Sequence, residues 1–299
     1  MGEILAPKGV CFFAYNNDQL DYVKMALTAG KYAKKNLHLP VCLITDEGSE
    51  SWLNESQPKK LINEVFDYIV ITNDKLKENR RRHFDSPWSE FAAQFNNSNK
   101  HKIYLYSPFE QTLLLDIDYI VKTDALLKYF DSNHPVCMFD NALTIRNELP
   151  LLPERFLYDA GIKMWWSTVV YFDRSDWSKL FFDTWAHIAD NYEFYQYLYN
   201  FPSKLFRTDY CVSIAVHILG GMQETQVSLG NFDDTPIVNM SQKDDIIEAN
   251  DINEWIMIAH DQKEEWKNIL VKVGKQDIHV MNKRAFERVI PKLMETLNG

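Results

Sequence analysis

The amino-acid sequence predicts a single α/β domain built around a mostly parallel sheet that is covered by helices on both faces. Short apolar runs alternate with helical segments along the first half of the chain, which is typical of repeated β-α-β units. Hydrophobic residues make up 46% of the 299 residues and charged residues 25%, so the chain has enough apolar material for a core. No internal repeat, low-complexity tract or glycine- and serine-rich linker marks a boundary, and we therefore predict one continuous domain.

The first β-α-β unit lies close to the amino terminus. The apolar run at 10–15 is typical of a buried strand. Apolar side chains then recur with a helical period over 20–35, and Pro40 introduces a second buried run at 41–45. In sheets of this kind, ligands bind beyond the carboxyl ends of the strands, so we expect the functional residues there.

The same alternation continues along the chain. We predict a third strand at 68–72, followed by a helical region that reaches Tyr106. Ser175 is the expected N-cap of a helix that continues through His187. The remaining predicted elements are a fourth strand at 112–116, a short helix at 124–130, a fifth strand at 135–139 and a sixth strand at 167–172.

The charge balance excludes one class of function. A formal net charge of −10 argues against a protein whose whole surface coats nucleic acid, because phosphate binding is dominated by lysine and arginine. A local basic groove is still allowed. The Arg-Arg-Arg-His run at 80–83 is either a solvated helix end or a contact to phosphate or acceptor, and Arg82 is its candidate binding residue.

The sequence contains no signal for secretion or membrane insertion. Its amino terminus lacks a cationic segment followed by a long apolar one, and no uncharged apolar run approaches the ~20 residues that span a bilayer. No Cys-x-x-Cys pair that could hold zinc is present, and the cysteines sit mostly among apolar neighbours. We predict a cytoplasmic protein with reduced core cysteines, which are Cys11, Cys42, Cys137 and Cys211.

Two carboxylates follow the predicted fourth strand. Asp116 and Asp118 flank Ile117 and come directly after three leucines. Side chains at i and i+2 of a strand share a face, and two like charges there are costly unless a cation neutralises them. Carboxylate oxygens suit Mg²⁺ or Mn²⁺ together with phosphate oxygens. We therefore predict a divalent-metal site, the alternative being that one aspartate caps the following turn.

The segment 102–118 resembles the signature of GT-A glycosyltransferases of the glycogenin-like group, in which a lysine-bearing helix leads into an apolar strand ending in Asp-x-Asp. The likeness extends loosely from Val10 to about Lys283. It implies a metal-dependent transferase that uses a nucleotide-sugar donor, with a UDP-sugar expected. On this pattern 9–121 is the nucleotide-sugar-binding half, 122–283 the acceptor-binding half and 284–299 a C-terminal helix.

The resemblance also implies roles for individual residues. Tyr15 and Asn16, after the first strand, would lie beside the base, and Asp46 would lie near the base or the ribose. Lys102 matches the family lysine that meets donor phosphate or sugar, and an exposed helix lysine is the alternative. Asp140, after the fifth strand, resembles the acidic position that hydrogen-bonds the donor sugar, with a buried loop cap as the alternative.

Two later blocks concern the sugar. At 166–169 the chain reads Trp-Ser-Thr-Val where similar enzymes often read Asn-Ser-Gly-Val, so donor identity does not carry over. Asp209 resembles the acidic member of an Asp-Gln step that faces the reaction centre, with Tyr210 in place of the glutamine. A catalytic contact to the transferred sugar or acceptor is expected for Asp209, and a plain helix N-cap is the alternative.

The third metal ligand of the family is a histidine on a late strand, followed within a few residues by a lysine. His279 and Lys283 fit this pattern, and His260 is the rival histidine. A nitrogen ligand beside two carboxylates favours Mn²⁺ over Mg²⁺.

The sequence does not identify the acceptor of the sugar. A glycan, a small molecule, a protein or a modified DNA base would all fit. Six aromatic residues lie within 192–201, and they suggest a platform for stacking on a sugar or base, with ordinary packing as the alternative. The resemblance suggests retention of anomeric configuration, although inverting GT-A enzymes share the same Asp-x-Asp.

Two other functions compete. A sugar-nucleotide-forming nucleotidyltransferase would need a glycine-rich phosphate loop after the first strand, and no glycine follows there before Gly30. A non-catalytic carbohydrate-binding protein could keep the same shell, because fold does not determine function. The intact Asp-x-Asp together with His279 argues against that second alternative. Kinase and dinucleotide motifs are missing from the sequence.

Overall fold

The computed structural model describes residues 3–74, 80–96, 98–157, 161–201, 206–222, 229–232, 235–261, 264 and 267–298. Its strands are, in chain order, β1 (Ala6–Phe13), β2 (Val41–Thr45), β3 (Tyr68–Ile71), β4 (Arg80–Ser86), β5 (Ser89–Gln94), β6 (Phe109–Leu115), β7 (Tyr119–Ile120), β8 (Val136–Phe139), β9 (Ala142–Thr144), β10 (Phe156–Leu157), β11 (Ile162–Lys163), β12 (Trp166–Phe172), β13 (Leu229–Asn231), β14 (Ile237–Met240), β15 (Asp245–Glu248), β16 (Trp255–His260), β17 (Asn268–Val273) and β18 (Ile278–Val280).

Its α-helices are α1 (Tyr22–Leu37), α2 (Glu47–Ser56), α3 (Lys59–Val65), α4 (Ile103–Tyr106), α5 (Asp176–Asp190), α6 (Tyr192–Leu198), α7 (Thr208–Leu219) and α8 (Lys283–Asn298), and short 3-10 helices cover Lys100–Lys102, Ala125–Asp131 and Leu152–Glu154. Ser175 caps α5 as predicted, since its Oγ accepts from Ser178 N at 3.2 Å. None of the helices in the described ranges is long and apolar enough to cross a bilayer.

Seven strands form the central sheet in the spatial order β13-β8-β12-β6-β1-β2-β3. Within the described ranges, four of its six neighbouring pairs are parallel. Strand β12 runs antiparallel to both β6 and β8. The prediction of a mostly parallel α/β sheet in a single domain is confirmed.

Helices cover both faces of this sheet because successive side chains of a strand point to opposite sides. On β1, Val10 and Phe12 pack in one apolar cluster with residues of α1 and α8. The alternate residues Cys11 and Phe13 pack in a second cluster with residues of α5 and α7. All four cysteines are buried and none forms a disulfide, as predicted for core residues.

A smaller sheet joins distant parts of the chain. Its strands lie in the order β7-β18-β14-β9, so the two residues of β7, directly after the Asp-x-Asp, pair with a strand from the end of the chain. In this register Tyr119 lies opposite His279, and Asn239 of β14 lies beside His279 on the other side. The smaller sheet thereby brings the late histidine to the aspartates.

The region between β3 and β6 differs from the predicted helical segment. Strands β4 and β5 form an antiparallel hairpin there, and the α-helix is confined to α4, while 75–79 and 97 lie outside the described residues. Pro87 in the turn accounts for part of this, because the residue before a proline is biased away from helix. His83 and Ala93 are buried between more exposed neighbours, which suits strands. The predicted helix is therefore wrong over 80–94.

Gly9 on β1 is required by close packing. A Cβ atom there would lie 2.3 Å from Cζ of Phe109. We expect Gly9→Ala to lower the free energy of unfolding by about 1–3 kcal/mol, the usual cost of overpacking, as measured by urea titration. Gly274→Ala is the matched control, since nothing lies within 4 Å of its added Cβ. An unchanged urea midpoint for Gly9→Ala would contradict this packing.

Candidate metal and donor site

Three predicted metal ligands converge in the structure. Asp116, Asp118 and His279 each offer one ligand atom, and these atoms all lie within 4.8 Å of one another. Nε2 of His279 is 3.3 Å from Oδ2 of Asp118. Two carboxylates and one imidazole nitrogen form a donor set that suits Mn²⁺ or Mg²⁺. The residues present therefore fit a divalent cation.

The two aspartates converge through a turn. Strand β6 ends at Leu115, and Tyr119 N donates to Asp116 O at 2.9 Å, which closes a turn across the Asp-x-Asp. The expectation that both side chains share the face of one strand is wrong, because Asp116 and Asp118 lie beyond the end of β6. Ile117 between them is buried, so the turn is anchored by an apolar side chain.

His279 is held in position from both sides. Val280 N donates to Asp118 O at 2.7 Å, which fixes β18 against the turn. His279 Nδ1 lies 3.0 Å from Asn239 Oδ1, and we assign the proton to Nδ1 because the amide oxygen can only accept. Nε2 is then the ring nitrogen that faces Asp118: when protonated it donates to Asp118, and when the imidazole is neutral its lone pair is available to a cation. Such a partner on the other ring nitrogen is the usual way in which proteins orient a metal-binding histidine.

Two lysines balance the charge of the aspartates. Lys283 forms an ion pair with Asp118, and Lys100 donates to Asp116 Oδ1 at 2.6 Å. Burial disfavours the charged form of Asp118, but Lys283 and His279 outweigh burial and hold the pKa of Asp118 well below its usual range. For Asp116, burial outweighs Lys100 and raises the pKa. The second oxygen of Asp116 is not engaged by Lys100.

Asp209 is held as an anion next to this group. Its Oδ1 accepts from Ser167 N at 3.0 Å and from Ser167 Oγ at 2.8 Å, and its Oδ2 lies 3.6 Å from Arg207 Nη2. Burial opposes ionisation, but Arg207 and the Ser167 hydrogen bonds lower the pKa of Asp209. The N-cap of α7 is Arg207, so Asp209 lies in the first turn of the helix.

These groups line one cavity of about 690 Å³. That volume lies within the roughly 300–1,000 Å³ of small-molecule sites. Lys100 supplies a cation that we did not predict. It lies two positions before the predicted Lys102. The sequence alone does not show which of the two lysines points into the cavity. The predicted residues on the cavity wall are Tyr15, Arg82, Asp116, Ile117, Asp118, Asp209, His279 and Lys283, together with the rival His260.

Two predicted donor-contact residues form ion pairs elsewhere. Lys102 Nζ lies 2.5 Å from Asp74 Oδ1, and Asp140 Oδ2 lies 2.6 Å from Lys163 Nζ. Neither Lys102 nor Asp140 is among the described residues that line the cavity. Their contacts to donor phosphate and sugar remain predictions.

The two remaining nucleotide residues have local hydrogen-bonding roles. Asn16 Oδ1 accepts from Val23 N at 3.0 Å, and Asp46 caps α2 by accepting from Ser49 N at 2.7 Å. Both residues lie at the carboxyl ends of their strands, but neither is among the described residues on the cavity wall. Their contacts to a base or ribose also remain predictions.

No protein-family model matches this chain, and no curated protein matches it. Among solved structures, GlyE of Streptococcus pneumoniae TIGR4, a glycosyltransferase, is 14% identical over 77% of this chain with a TM-score of 0.43, and this chain spans 46% of that one. The galactosyltransferase LgtC is 12% identical over 76% of this chain and 73% of its own length, with a TM-score of 0.45. A nucleotidyltransferase also appears, a putative glucose-1-phosphate thymidylyltransferase from Bacillus anthracis, 8% identical over 75% of this chain and 85% of that chain, with a TM-score of 0.41. Likenesses this weak do not establish the family or the activity of this chain.

Proposed function

We propose that this chain is a glycosyltransferase that transfers a sugar from a nucleotide-sugar donor, with a divalent cation held by Asp116, Asp118 and His279. The observation that carries the proposal is that these three ligands and Lys283, which come from the middle and the last part of the sequence, meet in one cavity beyond the carboxyl end of β6. Asn239 engages Nδ1 of His279, so Nε2, the nitrogen that would bind a cation, is the one that faces Asp118. A UDP-sugar is the expected donor and Mn²⁺ the expected cation, following the sequence resemblance and the nitrogen ligand.

A bound cation would change the partners of the aspartates. It would bind Asp118 in place of the Lys283 ammonium, and the second oxygen of Asp116 is available to it. The cation would supply Lewis-acid stabilisation of the charge that develops on the leaving diphosphate. Lys283, which is paired with Asp118 in the structure, would be the lysine to contact the same diphosphate when the cation is bound.

The protein's own groups would orient the rest of the donor. Lys100, held by Asp116 and by the carbonyl of Ser167, places a second positive charge beside the cation. Asp209 remains charged and is fixed by Ser167, so it can accept hydrogen bonds from the hydroxyls of a sugar. Preorganised groups of this kind contribute to catalysis because they need no rearrangement when the charge develops.

We expect the nucleotide to lie near Tyr15 and the sugars to lie near Asp209. Tyr15 at the end of β1 lines the cavity and its hydroxyl lies 3.2 Å from Thr72 Oγ1, so its ring is held for contact with a base. The acceptor, whether glycan, small molecule, protein or modified DNA base, would enter on the side of Asp209. In the aromatic segment, Tyr192 and Tyr195 are buried while Phe194 and Tyr197 are exposed, so part of it packs and part can contact a ligand.

Metal-dependent hydrolysis of UDP-sugars tests this function. We expect slow release of UDP from at least one of UDP-glucose, UDP-galactose and UDP-N-acetylglucosamine. Excess EDTA should stop the release, and Mn²⁺ should restore it at least as well as Mg²⁺. Release of UDP that is unaffected by EDTA would contradict the metal site. Incorporation of a sugar 1-phosphate into a nucleoside triphosphate, with release of pyrophosphate, would show a nucleotidyltransferase instead.

A further inference from the structure

The proposed function assigns no ligand to two arginines on the cavity wall. Arg81 lies on β4, Arg207 directly precedes α7, and both line the cavity. Burial, and then the charge of Arg207, lower the pKa of Arg81 to about 10, so both guanidinium groups are positively charged at neutral pH. Two like charges in a partly desolvated site are unfavourable unless an anion compensates them.

The local partners do not supply enough negative charge. Arg81 Nη2 donates to Phe206 O at 2.6 Å and its guanidinium lies 3.3 Å from the centroid of the Phe95 ring. Among the described residues, no carboxylate lies within ion-pair distance of Arg81, whereas the neighbouring Arg82 pairs with Glu90. Arg81 is half-buried, and its carbonyl and ring partners carry no net charge, so its guanidinium can still pair with an anion in the cavity.

Asp209 pairs with Arg207 and also accepts hydrogen bonds from Ser167. The distance from Arg207 Nη2 to Asp209 Oδ2 is 3.6 Å, and the other oxygen of Asp209 accepts from Ser167. Glu154 is a second acidic group on this wall that acts on Arg207, but among the described residues its carboxylate is not within ion-pair distance of either arginine. In the part of the chain that the structure describes, Asp209 is therefore the one carboxylate within ion-pair distance of these two arginines.

The hairpin that carries Arg81 is anchored at its far end. Arg288 of α8 pairs with Asp85 at 2.5 Å, and Asn282 Nδ2 donates to Asp85 O at 3.1 Å. With the bond from Arg81 to Phe206, the hairpin is tied both to the C-terminal helix and to the segment that precedes α7. Arg81 is thus held in place before any ligand binds, which lowers the entropic cost of binding.

We propose that Arg81 and Arg207 form a subsite for a carboxylate or phosphate group on a sugar substrate. This inference rests on the proposed function and extends it, since it states that one of the two sugars carries a negative charge. The planar guanidinium fork binds carboxylate and phosphate through two parallel hydrogen bonds. The anion is either on the transferred sugar, as in a uronic acid donor, or on the acceptor, as in a sugar phosphate.

Calorimetric titrations distinguish these two sources. With Mn²⁺ present, UDP-glucuronate is compared with UDP-glucose for the donor, and glucose 6-phosphate is compared with glucose, at saturating UDP, for the acceptor. We expect at least one anionic probe to bind about tenfold or more tightly than its neutral counterpart, which is ~1.4 kcal/mol. Arg81→Gln should remove that preference while leaving the affinity for UDP itself unchanged.

Arg80→Gln is the matched control. Arg80 lies on the same hairpin, is exposed and donates to Ala92 O within the hairpin at 3.0 Å. It should keep the preference for the anionic probe. If Arg81→Gln melts below the assay temperature, Arg81→Lys replaces it, because lysine keeps the charge but loses the two-pronged geometry. Arg81→Lys should then bind the anionic probe more weakly than the unmodified protein.

Three results would overturn the subsite. The unmodified protein could bind anionic and neutral probes equally in both comparisons, a folded Arg81→Gln could retain the preference, or Arg80→Gln could lose it to the same extent. Failure of the proposed function would look different, because UDP itself would then not bind. In that case glucuronate and glucose 6-phosphate are titrated alone, and binding of either probe that depends on Arg81 would still support the subsite.

Discussion

Asp118→Asn is expected to abolish sugar transfer and to weaken Mn²⁺ binding by more than roughly 100-fold, the upper end of what is lost when a group that only orients a metal ligand is removed. The amide cannot supply the negative charge that offsets a cation, and it leaves Lys283 and His279 without the carboxylate between them. Turnover of a UDP-sugar and Mn²⁺ titration measure the two effects. The chain should still fold, which a melting curve checks.

Asp173→Asn is the matched control for this change. Asp173 also accepts hydrogen bonds within the fold, from Ser175 N at 3.0 Å and Ser178 Oγ at 2.8 Å, but it is not among the described residues of the cavity wall. It should keep both turnover and Mn²⁺ affinity. Full activity of Asp118→Asn would contradict the metal site.

The second large effect concerns His279, because this residue separates a complete metal site from two aspartates that only bind lysines. His279→Ala should weaken Mn²⁺ binding by roughly tenfold or more, a loss of at least ~1.4 kcal/mol, without melting the domain. The reason is geometric, since the side chain that Asn239 orients is the nitrogen donor of the group. Metal titration and thermal melting are measured on the same preparation.

His260→Ala serves as the comparison for His279→Ala. His260 lines the cavity, but His279 is the histidine whose ring nitrogen joins the two aspartates. His260→Ala should therefore leave the Mn²⁺ affinity nearly unchanged. A normal titration together with a lowered melting temperature for His279→Ala would show a core histidine and remove it from the site.

Much of the fold follows from local patterns in the sequence. The buried strands β1, β2, β8 and β12 consist mostly of apolar residues, and each of their ends is predicted to within four residues because each run is bounded by turns or helices. The hairpin of β4 and β5 escapes such prediction. Among the described residues its strands pair only with each other. Its residues mix charged and aromatic side chains, so the apolar positions follow neither the helical nor the strand period.

Candidate site residues could be predicted where the residue type and its order along the chain both match a metal site. The Asp-x-Asp carboxylates and His279 are recognisable by type and order, but the pairing of β7 with β18 that joins them spans most of the chain and leaves no local signal. Lys100 and Arg81 could not be chosen over Lys102 and Arg82, because neighbouring residues of one charge differ only in the direction that the folded backbone gives them.

Anomalous diffraction from crystals soaked with UDP and Mn²⁺ would show whether these residues bind a metal. We expect a manganese peak among Asp116, Asp118 and His279, with the diphosphate of UDP on the same ion and Lys283 no longer paired with Asp118. UDP bound in this cavity without manganese at these three side chains, or manganese bound to other residues, would contradict the proposed metal site.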